Sequence, residues 1–238
     1  MSRCWPLIAL ILLATLAALA GGGAWLAHRD KLIPNGDDPW ARLDLDAAPG
    51  WFTKYQLGKL RDDPVACFAA LKEARISYQA IPDAPIVNGC GFADALRWQG
   101  EKARFKEPVV LTCAMTAALV LFERQVMQPA AEHYLGSRVI RLDDYGTYNC
   151  RNIGREEGRR RSEHAEANAI DIAAFTTANG RRAAVAADWG AMTRPEGKFL
   201  LALRDGACGL FKVVLGPAYN SDHTDHFHLD MGPFSSCH

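Results

Sequence analysis

The sequence predicts an α+β fold: a mostly antiparallel sheet flanked by helices and preceded by one transmembrane helix. Three observations carry this. An uncharged apolar run, Trp5 to Ala27, stands at the N-terminus. Helical periodicity marks two segments, one from Asp62 through Leu71 and one from Thr112 through Val126. From Arg138 to Asp230, short alternating segments separated by turn residues replace it. The corresponding division is an anchor or signal segment at 1–28, a linker at 29–58 and one domain at 59–238.

At about 1.5 Å per residue, the run Trp5–Ala27 spans about 34 Å as a helix, enough for a bilayer core. Ala18-Leu19-Ala20 before Gly21 also fits a signal-peptidase site. The apolar run continues beyond it through Trp25, Leu26 and Ala27, so an uncleaved anchor is expected, with cleavage near Ala20 as the alternative. Asp30–Lys54 is rich in Pro, Gly and Asp and reads as a linker with little fixed structure.

Asp62 or Asp63 can cap a first helix, with Pro64 in its first turn. Pro64, Cys67, Phe68 and Leu71 form its apolar stripe. SYQAI reads as a short strand and DAPIVNGCG as turns. Thr112 can cap a second helix with Met115, Ala118, Leu119, Phe122 and Val126 on one stripe; Pro129 breaks or restarts it and Gly136 ends it. RVIRL is a strand, DDYGTYNCRN a loop, and REEGRRRSEH a solvated charged run. ANAIDIAAF alternates as a strand, Asn179-Gly180 is a hairpin signal, and RRAAVAADW returns antiparallel. Pro195 opens a helix to about Cys208. KVVLG and DHFHLD are the last strands.

The formal net charge is zero, so nothing electrostatic points to nucleic acid. Cys4 lies at the edge of the apolar run. The other six cysteines, Cys67, Cys90, Cys113, Cys150, Cys208 and Cys237, include no C-x-x-C pair. In an exported chain they read as three disulfides, with the pairing open. That places the domain outside the cytosol.

The chemistry is concentrated in SEHAEANAIDIAAF (Ser162–Phe175) and SDHTDHFHLDMG (Ser221–Gly232). The first has His164 and Asp171; the second has His223, His226 and His228 with Asp222, Asp225 and Asp230. Imidazole nitrogens and carboxylate oxygens are zinc ligands, and a catalytic zinc takes three protein ligands and one open position. Strand parity puts Asp171 opposite Ile170 and Ile172, and puts His226, His228 and Asp230 opposite Phe227 and Leu229. His164 must arrive from the preceding loop.

The pattern H-x6-D followed by H-x-H resembles zinc peptidases of the D-Ala-D-Ala carboxypeptidase type, whose fold group includes lysostaphin-like enzymes and the hedgehog domain. YNCRN, RSEHAEANAIDIAAF, FLLALRDGACGLFKVVLGPAYNSDHTDHFHLD and the cysteine placement resemble the bacterial extensin-like C-terminal domain family, from about Ala66 onward. The resemblance implies that His164, Asp171 and His228 are the zinc ligands. It makes Asp225 and His226 the candidates for the base, and Arg151, in TYNCRN, the cation for a developing oxyanion. Asp230 and Ser162 are placed to orient ligands. Where the peptidases usually have Gly three residues after the first His, this chain has Ala167.

The expected function is therefore a zinc-dependent peptidase, tethered to the inner membrane by its N-terminal helix and facing the periplasm, that hydrolyses peptide bonds in peptidoglycan stems or cross-links. The alternatives are an inactive zinc-containing cell-wall binding module and a disulfide-held structural envelope protein.

Overall fold

The computed structural model describes residues 5–238, with side chains described from Ile8 to Gly23, at Trp25 and from Ile33 onward. Cys4 and Arg3 lie outside the described residues. The apolar run lies within helix α1 (Trp5–Leu32). Among the described residues no helix is long and apolar enough to cross a membrane, so the expected transmembrane helix is not supported. Gly21-Gly22-Gly23 dilutes the apolar run, and Arg29, Asp30 and Lys31 fall in the last turns of α1.

The expected linker is ordered from Ile33 on. The Asp37 carboxylate accepts the Trp51 N–H at 2.8 Å. The Gln56 amide donates to the carbonyls of Asn35 at 3.0 Å and Asp38 at 2.8 Å. Leu43 and Leu45 are buried in the core. The Pro and Gly residues that read as flexible therefore form turns closed by side-chain hydrogen bonds, and they lead into α2 (Thr53–Leu60).

Helix α3 (Pro64–Glu73) starts as its residues dictate, with the Asp63 carboxylate accepting the Ala66 N–H at 2.9 Å. The strand expected in SYQAI shortens to β1 (Gln79–Ala80). DAPIVNGCG is more than turns. It forms a hairpin of β2 (Ala84–Val87) and β3 (Cys90–Phe92), reversed by Asn88 and Gly89 at φ 52° and 73°. Two strands follow that periodicity did not reveal, β4 (Ala95–Gly100) and β5 (Arg104–Thr112).

Thr112 then caps α4 (Cys113–Phe122), every residue of which is buried. A π-turn (Glu123–Met127) joins it to α5 (Gln128–Leu135). Pro129 falls in the first turn of α5, so the chain stays helical until the left-handed cap at Gly136.

The remaining elements are β6 (Val139–Gly146), β7 (Ala169–Thr177), β8 (Arg182–Ala184), α6 (Val185–Asp188), α7 (Pro195–Cys208), β9 (Val213–Leu215), β10 (Phe227–Asp230) and β11 (Ser236–Cys237). The return strand expected over RRAAVAADW ends at Ala184. There the Asp188 carboxylate takes the Ala184 N–H at 2.9 Å and the chain turns into α6.

The sheet runs β1-β4-β5-β6-β7-β10-β9-β11, with β8 also on β7. Pairing is antiparallel except β5 with β6 and β9 with β11. Helices α4, α5 and α7 bring apolar side chains to the core, where Phe175 meets Phe199 and Phe122 meets Phe211 edge-on at 5.5 and 5.7 Å. Each such fully buried large side chain contributes about 1.5–3 kcal/mol. Disulfides join Cys67 to Cys113, Cys90 to Cys150 and Cys208 to Cys237. They tie α3 to α4, the β2–β3 hairpin to the loop after β6, and the end of α7 to β11.

Candidate metal centre

Strands β7 and β10 form the floor of the site. Their register places His228 directly opposite Asp171. Ile170, Ile172, Phe227 and Leu229 enter the core, so parity turns Asp171 and His228 away from it.

His164 comes from a 3-10 turn (Glu163–Glu166) just before β7, capped by Ser162, whose hydroxyl accepts the His164 N–H at 3.4 Å. That turn ends at Ala167, in the left-handed region at φ 55°. The Ala167 carbonyl accepts the Thr112 N–H at 2.9 Å, which binds the turn to the start of α4. The departure from Gly noted in the sequence thus falls where the backbone needs a positive φ, and Ala adopts it at some cost.

His164 Nε2, Asp171 Oδ1 and His228 Nδ1 converge. The separations are 3.2 Å from His164 to Asp171, 2.9 Å from His228 to Asp171 and 3.2 Å between the imidazoles. All three residues are buried. Ligand atoms about 2.0–2.1 Å from a tetrahedral zinc stand about 3.3–3.4 Å apart, close to this spacing.

Hydrogen bonds on the far sides of the rings fix the tautomers. His164 Nδ1 is 2.7 Å from the Thr147 carbonyl, which can only accept, so Nδ1 carries the proton and Nε2 the lone pair. His228 Nε2 donates to Asp230 Oδ2 at 3.1 Å, leaving Nδ1 to face the cluster. Asp230 is itself held by the Gly232 N–H at 2.9 Å. Two imidazole lone pairs and a carboxylate oxygen then point at one another in a buried space. They repel unless a cation or a proton lies among them, and this donor set fits zinc.

Without a metal, a proton takes that place. Burial disfavours charge on His228, but its hydrogen bonds to Asp171 and Asp230 outweigh this and push its pKa up to about 9. Burial likewise opposes ionisation of Asp171, yet its close contacts with the His164 and His228 imidazoles hold its carboxyl well below the usual range.

The other sequence candidates surround this cluster. His226 Nε2 lies 3.6 Å from Asp171 Oδ1, and its Nδ1 is 2.8 Å from Asp225 Oδ1. Nδ1–H therefore donates to Asp225, and Nε2 is free on the cluster side. The bond from His226 depresses the Asp225 pKa. Arg151 Nη2 is 3.9 Å from Asp171 Oδ2.

His223 packs its ring 5.2 Å from that of His226 and 5.9 Å from that of His228. Burial and the neighbouring imidazoles lower its pKa to about 4. His164, Asp171, His223, Asp225, His226, His228, Asp230 and Arg151 thus meet in one place, while Asp222 is exposed on the preceding 3-10 turn. Missed by the sequence were the Thr147 carbonyl, a backbone group with no side-chain signature, and Tyr145, whose hydroxyl is 3.3 Å from Asp225 Oδ2.

The family profile described as "Extensin-like protein C-terminus" matches residues 65–238. No curated protein and no solved structure matches the chain.

Proposed function

The chain belongs to the extensin-like C-terminal family, and from that premise and the buried His/Asp cluster we propose that it is a zinc-dependent peptidase acting on the peptides of peptidoglycan. The observation that carries the proposal is the convergence of His164 Nε2, Asp171 Oδ1 and His228 Nδ1, with both imidazole tautomers set by Thr147 and Asp230. The likeness of the H-x6-D and H-x-H spacing to zinc peptidases supports the same reading.

His164, Asp171 and His228 would hold the metal. A zinc ion there would supply Lewis acidity towards water and a peptide carbonyl. His226 accepts the proton of the attacking water at Nε2 and delivers it to the leaving amine. Asp225 holds Nδ1–H throughout and balances the imidazolium charge. Arg151, beside the outer oxygen of Asp171, presents the cation towards which an oxyanion develops.

Three disulfides, which form and persist where the surroundings are oxidising, support a compartment outside the cytosol. With the uncharged run Trp5–Ala27 ahead of the domain as a candidate export segment, this supports a periplasmic domain.

The test is digestion of purified peptidoglycan by the zinc-loaded protein, with products identified by mass spectrometry. Newly freed amino groups on stem peptides, absent with His226→Ala, are expected. Zinc binding without any cleavage would favour an inactive binding module. Absence of metal would favour a structural envelope protein.

A further inference from the structure

Tyr145 has no role in the reading above, yet three features aim it at the site. It lies on β6, whose ladder with β7 slips between Asp144, which faces Ile172, and Gly146, which faces Asp171. Two steps along β6 correspond to one along β7, so Tyr145 is the extra residue of a β-bulge opposite Asp171. Bulges of this kind re-aim a side chain. Gly146, at φ 107°, has the backbone freedom that the bend requires.

The second feature is the hydroxyl, which donates to Asp225 Oδ2 at 3.3 Å while Asp225 Oδ1 accepts from His226 Nδ1 at 2.8 Å. Each carboxylate oxygen thus has its own donor. The third is the ring, which meets the His226 imidazole edge-on with centroids 5.6 Å apart. Tyr145 is 61% exposed, so core packing does not account for its placement.

We propose that Tyr145 is a positioning residue acting through Asp225, the outer member of a Tyr145–Asp225–His226 chain that holds the His226 ring with Nδ1 against Asp225 and Nε2 turned towards the metal cluster. With only one oxygen engaged, the half-exposed Asp225 carboxylate is free to rotate about its χ2 bond, and His226 can then exchange its Nδ1–H for an Nε2–H. With both engaged, Asp225 presents a fixed acceptor to Nδ1. The catalytic part of this role rests on the hydrolytic reading; the tautomeric part does not.

The experiment uses Tyr145→Phe, which keeps the ring contact and removes only the hydroxyl, in the full chain. Zinc content should be unchanged. The ¹⁵N imidazole spectrum at neutral pH should show His226 with Nδ1–H in the unaltered protein and a mixture of tautomers in the variant. Turnover of peptidoglycan fragments should fall about 3- to 10-fold with KM within about twofold, a modest loss because the hydroxyl acts at one remove from the reaction. Introduced into Asp225→Asn, the same change should cost nothing more, because the path to His226 is already broken.

An unaltered His226 tautomer in Tyr145→Phe would overturn the proposal. So would a loss that multiplies with that of Asp225→Asn, since Tyr145 would then be touching substrate directly. If the unaltered protein cleaves no fragment, the hydrolytic reading fails, while the tautomer comparison still decides whether Tyr145 positions His226.

Discussion

Each ligand in the cluster is held from behind: His164 by the Thr147 carbonyl, His228 by Asp230, and Asp171 by the strand that faces β10. Removing a ligand should therefore affect the metal rather than the fold. Asp171→Ala and His228→Ala should each lose most of the zinc found by elemental analysis, because water must replace an anionic or imidazole ligand. His226→Ala and Asp225→Ala should keep near-normal zinc and lose turnover, by about 10²–10⁴-fold for removal of a general acid/base. Loss of metal in His226→Ala, with retention in His228→Ala, would reverse the assignment.

The metal-free protein should also show a proton in the site. The folded pKa of His228, about 9, lies above its ordinary 6.5. Its stabilising contribution is then fully present below about pH 6.5 and is lost as pH rises through 9. Thermal melts of chelator-treated protein should weaken between pH 7 and 9, by on the order of 3 kcal/mol at most, and zinc-loaded protein should show a flatter profile. A metal-free profile as flat as the loaded one would contradict this.

At this scale the sequence was most legible. His is rare enough, at seven residues in the chain, and its spacing to Asp particular enough, for the cluster to be read from two short stretches. Tyr145 was not legible, because DDYG reads as the start of a loop, and Gly146 marks a bulge only once the segment is known to be a strand. The register slip between Asp144 and Gly146, one of three in the β6–β7 ladder, decides where that ring goes.

At the scale of elements, local rules worked where one residue settles the matter. Asp63 and Thr112 cap helices through their side chains and Gly136 ends one through its left-handed backbone, and Asn179-Gly180 reverses the chain between β7 and β8. The rules failed where tertiary contacts override composition. LRWQG and RFKEPVVLT mix charge, Gly and Pro, so β4 and β5 do not read as strands, yet pairing in the sheet makes them so. The turn-rich segment after Ile33 is pinned by Asp37 and Gln56 across sequence distances no local window spans.

Ala167 gives a test here. Ala167→Gly should be neutral or stabilise the fold by up to about 1 kcal/mol, since Gly adopts its left-handed conformation without strain. Ala167→Val should destabilise by more than about 1 kcal/mol, because a β-branched residue is poorly tolerated there and the site is fully buried. Denaturant titration measures both. Equal stability of the Gly and Val forms would mean that the turn holding His164 is not strained.

For the molecule as a whole, three disulfides and one continuous core join the segments that carry the site. Cys90–Cys150 lies next to Arg151 and is more accessible than Cys67–Cys113, whose sulfur-bearing residues are buried. Thiol counting on denatured protein recovered from cells should find at most Cys4 free. Several reactive thiols would reject export and with it the cell-wall substrate. Each disulfide should add roughly 2–4 kcal/mol.

The measurement that tests the metal centre most directly is X-ray diffraction at the zinc absorption edge from protein purified without chelators. A single anomalous peak about 2.0–2.2 Å from His164 Nε2, Asp171 Oδ1 and His228 Nδ1 is the predicted result. Fully purified protein with no peak among those three atoms, or with a peak held by other residues, would contradict it.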